Sequence, residues 1–233
     1  MGVAGVDGCR SGWVVAHLDE GVVRFEIVSD FAAVVASTRD ASIVAIDMPI
    51  GLPSRVGPGG RGPDVAARRV LGARQSSVFA VPARQAVTCA DYREACAEAL
   101  SRSDPPRKVS KQCFNIFPKI REVDAVMTPA LQARIVESHP EVAFWAMNGG
   151  RPLDLPKRVK SSGHAPGLAL RRALLESVGV ALPAFPRGGA SEDDFVDAAA
   201  CAVVARRIVL GVARRFPDHP ETDERGLRME IWA

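Results

Sequence analysis

Residues 2–28, GVAGVDGCRSGWVVAHLDEGVVRFEIV, decide the fold. Apolar runs at 3–7, 13–18 and 22–28 are separated by a short turn at 8–12 and by Asp19-Glu20-Gly21, a pattern that predicts a three-stranded meander joined by hairpin turns. A short helix is expected over residues 31–37. The following run, residues 43–46, is apolar without interruption, as in a central strand covered on both faces. The sheet is therefore expected to be mixed, with a buried middle.

Outward from this core the pattern changes. Residues 51–130 are punctuated by Gly and Pro in GLPSRVGPGGRGP; helices are predicted near 64–71 and 91–101, and the remainder reads as loop. Core character returns at 133–137, a helix is predicted over 167–178, and a strongly apolar helix over 191–213 closes the fold. The 233 residues suit one α/β domain, 1–233, carrying a basic helical and loop insertion at 51–130. No internal repeat or low-complexity tract interrupts it.

The net charge of +3 does not announce a nucleic-acid protein, but its distribution is uneven. Lys and Arg outnumber Asp and Glu thirteen to seven over residues 51–130 and seven to two over 151–190, whereas residues 1–50 hold three against seven. An acidic core with basic additions suits a carboxylate site that draws in a polyanion; a solvated basic surface would give the same count. The five cysteines show no zinc-type spacing, and their odd number fits free thiols and a cytoplasmic location. The N-terminal residues carry no secretory or myristoylation pattern, and Arg206 and Arg207 interrupt the longest apolar stretch, so no membrane span is expected.

Five carboxylates stand where one site could collect them. Asp7 and Asp47 each end an apolar strand, Glu137 ends RIVES, and Asp194 and Asp197 open the last helix. Burying ionised carboxylates costs several kcal/mol each unless cations or strong donors compensate, so a divalent-metal site is the leading expectation. Simpler roles exist for each: a turn at Asp7-Gly8, an Asx turn before Met48-Pro49, and a capping box formed by Ser191 and Asp194. The cap explains Asp197 less well, because Asp194, Asp197, Ala198, Cys201 and Ala205 follow one helical stripe that enters the core. Near Glu137, His139 and Glu141 are alternatives for the site or caps for the next helix. The phosphate-binding Gly-rich loop, the GxSxG elbow and HExxH are all missing from the sequence.

The segments GVDGCRSGWVV (5–15), AIDMPIGLP (45–53), GARQSSVFAVPAR (72–84), SKQCFNIFPKIREVD (110–124), ESHPEVAF (137–144), EDDFVDAAACAVVA (192–205) and GLRMEIW (226–232) resemble a family catalogued as a domain of unknown function and described as predicted RNase H-like nucleases. The resemblance runs nearly end to end. It implies the ribonuclease H-like fold, a mixed five-stranded sheet flanked by helices, with catalytic acids on the first strand, the fourth strand and the final helix. Asp7 and Asp47 would take the strand roles, Asp194 with Asp197 the closing-helix role found in RuvC-like resolvases, and Glu137 would follow the fifth strand. Such a site hydrolyses phosphodiesters with two Mg²⁺ or Mn²⁺ ions roughly 4 Å apart, which the resemblance would place on Asp7, Asp47, Asp194 and Asp197.

The partner implied is nucleic acid, DNA or RNA, with homodimerisation left open. Lys111, Arg74 and Arg84 are candidates for holding phosphates, and Phe114, Phe117 and Trp145 either stack on bases or fill the core. Two alternatives compete. Actin-like ATPases and sugar kinases share the fold but pair two copies of it around a nucleotide, and a non-catalytic metal- or nucleic-acid-binding protein would keep the acids as a structural site.

Overall fold

The computed structural model describes residues 2–159 and 162–233. Strands Val3–Cys9 (β1), Gly12–Asp19 (β2) and Val22–Val28 (β3) form the antiparallel meander. Gly12 holds the first turn at φ 138°, where an added Cβ would fall 2.0 Å from the Val28 carbonyl oxygen, so only glycine fits. Helix α1 (Phe31–Ser37) is capped by Asp30, whose carboxylate accepts from the Ala33 N–H at 2.9 Å. Strand β4 (Val44–Ile46) follows and pairs with β1 in parallel.

Five helices come next: α2 (Gly62–Leu71), α3 (Arg84–Thr88), α4 (Tyr92–Ser101), α5 (Lys111–Asn115) and α6 (Phe117–Val126). The region is thus more helical than its Gly and Pro content predicts. Strand β5 (Ile135–Glu137) then joins β4 in parallel and completes a mixed five-stranded sheet of order β3-β2-β1-β4-β5. Beyond it lie α7 (Pro140–Met147), the short antiparallel pair β6 (Arg158–Val159) and β7 (Ser162–Gly163), α8 (Ala165–Ser177) and α9 (Glu192–Val209). A second short pair, β8 (Arg215–Phe216) and β9 (Ile231–Trp232), ends the chain.

Both faces of the sheet are covered, as the unbroken apolar character of β4 requires. Ala4, Val6, Val44, Ile46 and Ile135 face a layer built largely from residues 51–130, which contributes Phe117, Ile120 and Val123 of α6. Val3, Ala45 and Val136 face α9. Because side chains alternate along a strand, Gly5 and Asp7 share the α9 face with Val3, and Asp47 shares it with Ala45. Glu137 has the parity of Ile135 and points to the opposite face.

Helix α9 lies unusually close to β1. A Cβ on Gly5 would come within 2.0 Å of the Ala202 backbone nitrogen and 2.1 Å of the Ala198 carbonyl oxygen, so the contact exists only because Gly5 has no side chain and α9 presents alanines there. Phe117 and Trp145 are buried, and Phe114 packs between Tyr92 and Phe117, so these aromatics belong to the core. All five cysteines are free thiols. No helix among the described residues is long and apolar enough to cross a membrane.

Candidate metal centre

The parallel register sets the site. Val6 is level with Ile46, and the Asp47 N–H donates to the Val6 carbonyl at 2.8 Å, so Asp7, within β1, and Asp47, just past β4, emerge side by side where the two strands stop pairing. Helix α9, seated on Gly5, brings Asp197 down onto them. One carboxylate oxygen from each of Asp7, Asp47 and Asp197 lies within 4.8 Å of the others. Asp7 is only 8 % exposed and Asp197 2 %, burial that leaves a cluster of three like charges dependent on cations or donors.

Donors do not meet that need. Among the described residues no protein hydrogen bond reaches the carboxylate of Asp7 or Asp47. Asp197 pairs through Oδ2 with Lys157, while its Oδ1 is buried without a partner. Burial, then the neighbouring Asp47 and Asp197, holds the Asp7 carboxyl well above the ordinary range. Burial likewise raises Asp47, and lifts Asp197 to about 6 against the pull of Lys157. Burial works against the Lys157 ammonium, yet Asp197, Asp7 and Asp47 outweigh it and raise its pKa. An orphaned buried oxygen and donor-free hard carboxylates suit a divalent cation, and such oxygen ligands favour Mg²⁺ or Mn²⁺.

The other expected acids are held differently. Asp194 Oδ2 accepts from the Ser191 N–H at 2.7 Å, the reciprocal half of a capping box; it borders the same cleft but stands outside the cluster of three. Glu137, on the opposite face of the sheet, is bound by Arg61 in two hydrogen bonds of 2.6 and 2.9 Å and by the Ile50 N–H at 2.7 Å. Arg61 also pairs with Asp64 at 2.8 Å, so this is a closed, buried ion network. Burial still pushes the Glu137 carboxyl up, to about 7, while Arg61 opposes the rise.

His139 is locked. Its Nδ1 accepts from the Glu141 N–H and its Nε2 meets the Ser77 carbonyl, both at 3.2 Å, so both ring nitrogens have backbone partners. Glu141 is paired with Arg171, and Arg74 lies 3.8 Å away.

The cluster opens into a cleft of about 970 Å³ that Arg10, Arg74, Lys119, Lys157 and Arg158 border. Residues 51–130 form much of its wall, Arg74 and Lys119 included. Lys119 is held in place, its ammonium 4.5 Å from the Trp13 ring centroid and 3.3 Å from Glu122, whose other oxygen accepts from the Trp13 indole N–H at 2.8 Å. Arg84 is consumed by Asp124 and Asp223, and exposed Lys111 lies near the Tyr92 ring; neither borders the cleft. Arg10, Arg61, Lys119, Lys157 and Arg158 are the cleft cations that sequence reasoning does not single out. Lys119 sits in the distinctive FPKIREVD segment, whereas Lys157 has no local signal, since its partner is 40 residues away.

The family described as "Protein of unknown function (DUF429)" matches residues 5–222, and the chain belongs to that family. Neither a curated protein nor a solved structure matches it.

Proposed function

From membership of the DUF429 family and the geometry of its acidic cluster, we propose that this protein is a metal-dependent nuclease of the ribonuclease H-like type, hydrolysing phosphodiester bonds in nucleic acid. One observation carries the reading. Asp7, Asp47 and Asp197 converge from two parallel strands and a helix, Asp7 and Asp47 with no hydrogen-bond donor among the described residues and Asp197 with one buried oxygen unpartnered, beside a cleft edged by cations. The sheet order, meander first and parallel strands after it, agrees with that fold type.

Asp7, Asp47 and Asp197 would hold the metal. When bound, it would supply an activated water and neutralise charge developing on the phosphate oxygens. The chain's remaining contribution is placement. Lys119, fixed between Trp13 and Glu122, and Arg10, Arg74 and Arg158 on the rim offer donors to the phosphates of a strand lying across the cleft.

The test is cleavage of single-stranded, duplex and branched DNA and RNA with Mg²⁺ or Mn²⁺, comparing wild type with Asp47→Asn. Cleavage by wild type, lost in the variant and in EDTA, is the expected result. Saturable metal binding with no cleavage of any substrate would favour a non-catalytic metal protein instead.

A further inference from the structure

Among the described residues Lys157 is the one cation that enters the carboxylate cluster itself, and its backbone is fixed on both sides. The Lys157 carbonyl accepts from the His164 N–H at 2.9 Å, and the Pro156 carbonyl lies 3.0 Å from His164 Nδ1. Gly167 of α8 lets this segment pass: a Cβ there would fall 1.9 Å from the Pro156 oxygen. Arg158 ties the other side to α9 through two bonds to Asp193 of 2.9 and 3.3 Å. The lysine is thus aimed at Asp197 by its surroundings rather than reaching it as a free surface chain.

Charge then limits what else can enter. Three carboxylates carry three negative charges, Lys157 returns one, and a single divalent cation balances the remaining two. Asp197 divides its oxygens accordingly, Oδ2 to Lys157 and Oδ1 unpartnered. We infer that Lys157 stands in for a second metal, so that the centre works with one divalent ion and one ammonium. This rests on the reading of Asp7, Asp47 and Asp197 as a metal site. In such a centre Lys157 would offer its remaining N–H donors to a phosphate oxygen in the cleft, where a second ion would otherwise sit.

Mn²⁺ titration, followed by calorimetry and by the electron paramagnetic resonance signal of free Mn²⁺, tests this without reference to activity. Wild type should bind one ion per chain. Lys157→Met should bind its first ion about tenfold or more tightly and take up a second at higher Mn²⁺, because the cluster then lacks its resident charge. Lys157→Arg should keep the one-ion isotherm, and Lys157→Gln replaces the methionine variant if that fails to fold. Two ions in wild type, or the same isotherm for wild type and the neutral variant, would overturn the lysine's role and leave the metal site standing. No saturable Mn²⁺ binding in either protein would overturn the metal site itself, and the inference with it.

Discussion

Asp7 and Asp47 lie side by side where β1 and β4 stop pairing, on the same face of the sheet, and among the described residues no protein donor reaches either carboxylate. Two turn-forming aspartates would each accept backbone N–H groups. Among the described residues this pair accepts none, so no hydrogen bond offsets its cost to the metal-free fold.

Asp7→Asn should therefore leave the metal-free protein as stable as wild type or raise its stability by about 1–2 kcal/mol, a charge repulsion removed for no hydrogen bond lost. Mn²⁺ binding should be lost in the same variant. Urea unfolding in EDTA, paired with a Mn²⁺ titration, checks both; a loss of stability would show that Asp7 is a structural acceptor.

The pH dependence has a definite sign. Burial raises the Asp7 carboxyl in the folded state, and Asp47 and Asp197 add to the rise. A raised carboxyl favours folding below its unfolded-state value, near 3.9, and that advantage disappears as pH climbs through the folded-state value. Metal-free wild type should lose stability relative to Asp7→Asn as pH rises above about 4, by at most ~1.4 kcal/mol per pH unit for one proton. Denaturant midpoints across that range measure it, and parallel curves for the two proteins would refute it.

Glu137→Gln separates the two acidic systems. It removes the carboxylate from the bidentate contact with Arg61 and should cost about 3–5 kcal/mol, the usual toll for breaking a buried pair. Its effect on Mn²⁺ affinity should be small in whatever fraction remains folded, because Glu137 lies on the face of the sheet opposite Asp7.

Gly5→Ala should cost about 3 kcal/mol or more, since the new methyl meets the α9 backbone and not a flexible side chain. Mn²⁺ affinity should fall too, because Asp197 moves with α9. Gly8→Ala is the control: its nearest neighbour would be the Met48 side chain at 3.7 Å, an ordinary contact, and both measurements should be unchanged.

If nucleic acid occupies the cleft, affinity should fall steeply with salt, and Lys119→Ala or Arg158→Ala should each reduce the slope of log affinity against log salt by about one. Arg84→Ala should leave the slope alone and act on stability, as Arg84 is held by Asp124 and Asp223. Filter binding at four salt concentrations distinguishes the two kinds of arginine.

Much of the sheet and all three cluster acids are legible in the sequence, Asp7 and Asp47 because period two is local and Asp197 because a helical stripe carries it into the core. The strand runs ending at Asp7 and Asp47 need only their own residues to be recognised. Glu137 needs one thing more, the knowledge that α9 covers the face shared by Val136 and not the face shared by Ile135. Asp194 and Asp197 lie on one side of a helix by spacing alone, but the first-turn position commits Asp194 to the Ser191 N–H. The spacing of Phe117, Ile120 and Val123 is helical in the sequence; Pro118 obscures it, though the first turn of a helix tolerates proline. Lys157 is beyond local reading altogether, since nothing near it in sequence marks the ion pair it makes.

The seating of α9 on Gly5 also governs when the centre can exist. Asp197 is synthesised 190 residues after Asp7, on a helix whose place is reserved by a gap in β1. Until α9 docks, the first two carboxylates have no third member and β1 lacks its cover. Completion of the core and completion of the cluster are therefore one event, and a partly made chain carries neither.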